Sequence, residues 1–386
     1  VAIHFEKGEK VRIEEDSNAD GKVDVVTHTR GEAILRREAD TDHDGRLESV
    51  AFFEKGKERR QTRDQDGDGK EELVILLDEQ GRKTREEADA NRDGRRELVR
   101  LFEGGKQVRE EEDQDGDGKP EVVTTYDGET PLRREADTNA NGKQDTFVEF
   151  RDGKKAAQQE DRDGDGELDA RYTFDAEGRV ALEEADEDKD GRFELVSASA
   201  AGQLEKRTLL ARSGKPQRTE YFEKGKLART EHDESSDGKV DLWNWHAPDG
   251  SLARQEQDAD HDGRVDTWVE LDPATHKELA VRRDQNGDGK VDTWRTNDRD
   301  GVAQTLAEDR NRDEKPDRTV TFAGGKPARF EEDTDFDAKV DLRGELDPSG
   351  EPSREERDTN GDGGFDLLVA YEAGQKVREE RDTRGD

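Results

Sequence analysis

The sequence predicts an all-β protein of tandem β-hairpins, about 24 residues per repeat, joined by acidic loops into a coiled or superhelical antiparallel meander. Three observations lead there. A nine-residue acidic loop returns every 23 to 26 residues along the whole chain. Each copy runs straight into a short stretch of β-branched and aromatic residues. No segment keeps a helical apolar period for long, and glycine punctuates every dozen residues or so.

One repeat shows all the parts. Asp113-Gln-Asp-Gly-Asp-Gly-Lys-Pro-Glu121 is the loop, with carboxylates at positions 1, 3, 5 and 9 and glycine at position 6. Val122-Val-Thr-Thr-Tyr126 follows as an outgoing strand, as do Leu98-Val-Arg-Leu-Phe102, Thr146-Phe-Val-Glu-Phe150 and Leu367-Leu-Val-Ala-Tyr371 elsewhere. Glycine turns such as Glu54-Lys-Gly-Lys57, Glu103-Gly-Gly-Lys106 and Glu223-Lys-Gly-Lys226 suit short hairpin loops in which glycine takes φ > 0. The return strand is more polar, as in Val108-Arg-Glu-Glu111 or Leu252-Ala-Arg-Gln-Glu256, and leads into the next acidic loop.

About 16 repeats make about 32 strands. At roughly 4.8 Å per strand a flat ribbon would run on the order of 150 Å. Roughly 20° of twist per strand coils it, because open sheets beyond about ten strands curl or fold back. Each hairpin then contacts mainly its neighbours. The alternative is a closed β-propeller with two hairpins per blade. No linker interrupts residues 1–386, which read as one continuous array truncated at both ends: Val1 opens in mid-pattern and a partial loop starts at Asp382. Between the eighth and ninth good loops lies a degenerate copy, residues 209–217, which keeps Gly214 but has no carboxylate at any of the four positions and is expected to be metal-free.

Composition explains why the loops matter. Only 27% of the 386 residues are hydrophobic while 44% are charged, and the formal net charge is −37. That balance lies on the side where too little apolar surface is available to offset the entropy of ordering. One divalent cation in each of fourteen loops would bring the charge from −37 to −9. There is no cysteine, so no disulfide framework substitutes for a core. The acidic surface argues against nucleic acid as a partner, and no membrane-inserting stretch lies within the sequence.

The metal reading rests on residue type and spacing. Position 1 is aspartate throughout: Asp16, Asp40, Asp64, Asp89, Asp113, Asp137, Asp161, Asp186, Asp233, Asp258, Asp284, Asp309, Asp333 and Asp358. Position 3 is Asn18, Asp42, Asp66, Asn91, Asp115, Asn139, Asp163, Asp188, Ser235, Asp260, Asn286, Asn311, Asp335 and Asn360. Position 5 is Asp20, Asp44, Asp68, Asp93, Asp117, Asn141, Asp165, Asp190, Asp237, Asp262, Asp288, Asp313, Asp337 and Asp362. Position 9 is always acidic: Asp24, Glu48, Glu72, Glu97, Glu121, Asp145, Asp169, Glu194, Asp241, Asp266, Asp292, Asp317, Asp341 and Asp366. Turn propensity accounts for positions 5 and 6. It does not account for a carboxylate at a strand start, where acidic residues are disfavoured. Oxygen donors at 1, 3 and 5, with glycine at 6 for the sharp turn, are what a flexible calcium site needs; magnesium demands tighter octahedral geometry.

The pattern D-x-[DN]-x-D-G-x-x-[DE] before an apolar strand resembles the calcium loops of FG-GAP and VCBS-type repeats. It is similar in part to thrombospondin type 3 repeats and other EF-hand-like loops. The resemblance covers the loop and the strand start, and the Phe-Gly and Gly-Ala-Pro motifs of the propeller families are absent. It implies an extracellular, metal-stabilised bacterial repeat protein.

Finer features carry their own expectations. Glu314 and Ala338 replace the position-6 glycine and should weaken their loops. Arginine four residues and glutamate two residues before the loop (Arg12/Glu14, Arg36/Glu38, Arg85/Glu87, Arg109/Glu111, Arg133/Glu135, Arg229/Glu231) share one strand face and suggest a charge ladder across hairpins. Aromatics before the turn (Phe5, Phe53, Phe102, Tyr126, Phe150, Phe174, Phe222, Phe322, Tyr371) suggest a spine. Trp243, Trp245, Trp268 and Trp294 cluster in three adjacent repeats, as a locally larger core or an interaction patch. His43 and His261, at loop position 4, are expected simply to be exposed. Catalysis needs a constellation that occurs once, and none stands out from the repeats, so no enzyme is expected. The expected function is a calcium-stabilised segment of an extracellular or cell-surface fibre, adhesin stalk or matrix protein, partnered by itself or by more of the same array. The alternative is a calcium-dependent adhesion module with a surface or carbohydrate ligand at Trp243–Trp294.

Overall fold

The computed structural model describes residues 1–382, and all of its regular structure is β-strand, with no helix among the described residues. The chain divides into two compact units, Val1–Phe193 and Glu194–Asp386. Within each unit every ladder is antiparallel and joins consecutive strands only. Neither unit closes on itself or breaks into blades, so the propeller alternative is excluded and the open hairpin meander is the fold. The partial loop after Asp382 lies outside the described residues.

Local sequence sets each hairpin. Strands Val122–Asp127 and Thr130–Ala136 pair from Val122↔Ala136 to Asp127↔Thr130. Four β-branched residues, Val122 to Thr125, favour the extended outgoing strand. At the Lys224-Gly225 turn both residues take φ > 0, +52° and +76°, the primed geometry that matches strand twist. Every hairpin then slips register by one residue just past its turn, as between Thr125 and Tyr126, which re-aims the side chains near that edge.

The pairing puts two different faces on the sheet. One carries a row in which glutamate and valine alternate across strands: Glu14, Val26, Glu38 and Val50 are successive partners, and so are Glu87, Val99, Glu111, Val123 and Glu135. The six anticipated arginine–glutamate pairs all form, but each within its own strand, for example Arg109 Nε–Glu111 Oε1 at 2.7 Å and Arg133 Nη2–Glu135 Oε1 at 2.9 Å. These six pairs do not link into a ladder, because a valine or aromatic residue stands across the strand from each of their glutamates; Arg343, between Glu331 and Glu356, does bridge strands, 2.6 Å from Glu356. The other face is more polar: Arg100 bridges Glu86 (2.9 Å) and Glu110 (2.7 Å), and the Tyr126 hydroxyl meets Glu110 at 3.2 Å. The pre-turn aromatics line this face half-buried, with Phe5 exposed in the first strand, so they form a partial spine.

The degenerate copy takes a different shape from the acidic loops. Strands Gln203–Leu210 and Pro216–Glu223 meet in a five-residue turn, with Ala211 N–H on Lys215 O and Gly214 N–H on Ala211 O, both at 2.8 Å. The same turn closes individual hairpins at their opposite edge, at 78–82 and 175–179. Without carboxylates to organise a wider loop, the strands simply run on to eight residues each.

Buried apolar side chains are few and small, chiefly Val26, Val74, Val122, Val123, Val148, Val281, Val320 and Val369. Phe330 is an exception, and its strand neighbour Gly344 explains how it fits: a Cβ at Gly344 would lie 2.5 Å from the Phe330 ring and 2.5 Å from the Arg354 carbonyl. Gly344→Ala should therefore lower the stability of the second unit by about 1–3 kcal/mol. Thermal melting of the variant checks this, and an unchanged midpoint would show that Phe330 has room to move.

Candidate metal centres

Each acidic loop is shaped by its own side chains. In all fourteen copies the position-1 aspartate accepts the position-6 N–H on Oδ2 at 2.6–3.0 Å. In loop 113–121, Asp115 accepts from Asp117 N–H (2.9 Å) and Asp117 from Lys119 N–H (2.8 Å). The position-9 carboxylate folds back on the start of the loop: Asp145 accepts from Thr138 N–H (2.9 Å) and Asn139 N–H (3.2 Å). Positions 4 and 6 are both left-handed, with φ of +73° at Gly116 and +89° at Gly118, and these two reversals wind positions 1, 3 and 5 around a common centre.

Position 4 is the feature that sequence reading missed. It has positive φ in every good loop, including Ala19, His43, Arg92, Ala140, Lys189, Ser236, His261, Arg312 and Phe336. Glycine at Gly67, Gly116, Gly164, Gly287 and Gly361 was the available signal.

The loops are also stacked. Within each unit the position-1 N–H of one loop donates to the position-9 carbonyl of the loop before it, as in Asp40 N–Asp24 O, Asp113 N–Glu97 O and Asp258 N–Asp241 O, each 2.8 Å. Most aspartates at positions 1 and 9 are consequently buried, with Asp16 exposed and Glu48, Glu97 and Glu121 half-buried, while 3 and 5 stay near the surface. Asp24, Asp241 and Asp258, each 1% exposed, are among the most buried side chains in the protein.

In several loops acidic side chains expected as ligands lie close together. One oxygen from each of Asp113, Asp115, Asp117 and Glu121 lies within 4.8 Å of the others, and the same holds for Asp64, Asp66, Asp68 and Glu72. Three-residue groups form from Asp40, Asp42 and Glu48, from Asp89, Asp93 and Glu97, and from Asp161, Asp163 and Asp169. Asp44 stands apart because the Arg46 guanidinium holds it at 2.6 Å, which also draws its carboxyl below the usual range. Glu48 Oε2 and Glu97 Oε1 are buried with no hydrogen-bond donor. A buried anionic oxygen without a donor is costly, and a cation in the loop is the partner that would satisfy it. Sets of three or four carboxylate oxygens fit a hard divalent ion.

Local hydrogen bonds hold two of the position-9 carboxyls below their ordinary value. The Ser17 hydroxyl, opposed by burial and helped by the Ser17 and Asn18 N–H groups, holds Asp24 down to about 2. At Asp241 burial pushes upward, but the Ser235 N–H, His261 and the Ser235 hydroxyl outweigh it and the carboxyl stays low. Both remain anionic across any physiological pH.

Side chains at position 4 reach the preceding loop. Lys189 Nζ lies 2.8 Å from Asp163 Oδ2, His43 Nδ1 3.4 Å from Asp24 Oδ1 and His261 Nδ1 3.2 Å from Asp241 Oδ1. The two histidines, expected merely to be exposed, face buried carboxylates of a neighbouring loop.

No family model matches the chain, and no curated protein sequence does either. Among solved structures, the chain is similar to the TcdB2-TccC3-Cdc42 structure at 14% identity, over 97% of this chain and 24% of that one, with a TM-score of 0.16. It is similar to a porin-like protein from Bacteroides uniformis at 10% identity, over 58% of this chain and 92% of that one, also with a TM-score of 0.16. The chain thus spans about a quarter of the length of the first of these. At such scores the superpositions establish no common fold.

Glu314 and Ala338 keep the loop conformation despite their side chains, with φ of +71° and +69° and N–H bonds of 2.7 Å to Asp309 and Asp333. The cost falls on the backbone. Ala338→Gly should relieve about 1 kcal/mol and raise metal affinity in loop 333–341 about fivefold. Calorimetric titration checks it, and no gain would show that alanine is unstrained there.

Proposed function

We propose that this protein is a calcium-stabilised structural segment of an extracellular bacterial fibre, adhesin stalk or matrix protein, and that it works without catalysis. The observation that carries this reading is the burial of most of the aspartates at positions 1 and 9, with buried oxygens of Glu48 and Glu97 left without donors. A repeat that buries aspartate where other proteins bury leucine is built around cations. Calcium suits the all-oxygen sets and the irregular, backbone-shaped loops better than magnesium, and extracellular levels saturate even weak sites. An ion that binds the folded loop alone stabilises it by mass action, so the segment could be exported unfolded and fold outside the cell.

Circular dichroism with and without a chelator tests the coupling. The β-signal should collapse on full chelation and return with calcium; a signal that survives chelation would sink the reading.

A second reading, adhesion through the tryptophans, is favoured by one arrangement. Glu231, Trp243, Glu256, Trp268, Arg282 and Trp294 are successive cross-strand partners, so three indoles share one face of the second unit in a single row. Trp245 lies beside them with the Arg254 guanidinium 4.7 Å over its ring. Replacing Trp243, Trp268 and Trp294 with valine should abolish binding to a surface or carbohydrate ligand and leave melting unchanged; a large drop in stability instead would mark them as core.

A further inference from the structure

We infer that the basic side chain at loop position 7 is a coupler, seated against the following loop so that the ordering of one loop holds the next. Position 7 is lysine or arginine in twelve of the fourteen acidic loops, with Glu167 and Gly364 the exceptions. The turn itself has no need of charge there, because its left-handed residues are at positions 4 and 6. The coupling holds whichever ion the loops take, so it adds to the calcium reading without resting on it.

Equivalent positions of successive loops lie two strands apart, roughly 10 Å, a gap that takes a long side chain to cross. Arg46 Nη1 donates to the Asp66 carbonyl of the next loop at 2.9 Å. Lys215, at the same position in the degenerate turn, donates to the Asp237 carbonyl at 2.7 Å. Elsewhere the ammonium takes the space beside the next loop's position-6 glycine. A Cβ at Gly45 would lie 3.0 Å from Lys22 Nζ, one at Gly94 2.6 Å from Lys70 Nζ, and one at Gly263 3.2 Å from Lys239 Nζ. Glycine at these places does two things: it takes the positive φ, and it leaves room for its neighbour's arm.

Two departures from the pattern keep the contact by changing its chemistry. Glu314 fills the position-6 space with a carboxylate, and Lys290 of the loop before meets it at 2.8 Å. At loop 161–169 the sign is reversed. A Cβ at Gly191 would lie 2.5 Å from Glu167 Oε2, so an acidic arm occupies the usual place. The cation then comes back from the next loop, with Lys189 Nζ 2.8 Å from Asp163 Oδ2. A lysine that served only solvation would have no such matched partner across the step. Exposed ion pairs add little to global stability. The effect therefore falls on local opening of the neighbouring loop, which amide exchange reads.

The test is hydrogen–deuterium exchange on the full chain, in calcium chloride and in metal-free buffer. Equal protection in the two buffers would count against the calcium reading alone. Lys290→Ala should speed exchange at residues 309–313 about threefold and leave loop 358–366 unchanged. Lys290→Glu should speed it further, and adding Glu314→Lys should recover most of the protection, which only a direct contact explains. Lys143 is the control, since nothing lies within 4 Å of a Cβ at Gly166 in the loop that follows it. Lys143→Ala should leave residues 161–165 unchanged. Acceleration confined to loop 284–292, no acceleration at all, no recovery in the exchanged pair, or equal acceleration from Lys143→Ala would each overturn the proposal.

Discussion

Buried carboxylate is the constraint on which the rest of this structure depends. An ordinary domain offsets chain entropy with apolar burial, and this one has too little: among the described residues there are a few buried valines on each face and no large aliphatic core. What it buries instead are most of the aspartates at the first and ninth loop positions. An isolated anion cannot be taken out of water cheaply. The loop answers in part by giving each carboxylate backbone N–H donors, which favour the charged form. Donors alone do not neutralise three or four like charges held within 4.8 Å of one another. The remaining field is attractive to a cation, and the same loop that creates it has the oxygen geometry to hold one.

Much of this was legible in the sequence because the repeat states it many times. The spacing of Asp113, Asp115, Asp117 and Glu121 gave the loop, and Val122 to Tyr126 gave the strand it enters. What one repeat could not reveal is how repeats meet. Position 4 looks unconstrained when residues as unlike as Ala19, Arg92 and Phe336 occupy it, because the requirement is on φ and not on chemistry. The arginine–glutamate columns suggested a ladder, since strand periodicity puts them on one face; cross-strand register then interposed Val26, Val99 and Val123. Residues 209–217 kept the length and glycine of a loop, but with no carboxylate to accept the position-6 N–H the chain took the shorter hairpin turn. In each case the missing information was tertiary.

The position-9 residue joins the two halves of the design. Its side chain closes its own loop, its carbonyl receives the first N–H of the next loop, and a strand begins at the residue after it. Ordering one loop therefore fixes a hydrogen-bond acceptor for its neighbour, which is the nearest-neighbour coupling that gives linear repeats their cooperativity. Contacts from position 4, such as Lys189 to Asp163, add a side-chain route for the same coupling.

The hairpin turn at 211–215 shows how far the backbone can carry the array when a loop is lost. Lys206 to Leu209 still pair in register with Tyr221 to Arg218, and the next loop still docks, through Asp233 N–H on Gln217 O at 2.9 Å. Thr208 and Thr219 are buried as cross-strand partners there. The turn also carries Arg212 and Lys215, and Lys215 Nζ reaches the Asp237 carbonyl of the following loop at 2.7 Å. A vacant step is thus bridged by shortening the connection, while Lys215 keeps the contact that Lys22 makes from an acidic loop to the Asp44 carbonyl. The ladder supplies continuity, and the charged loops supply the reason for the chain to stay ordered; one can lapse locally because the other does not.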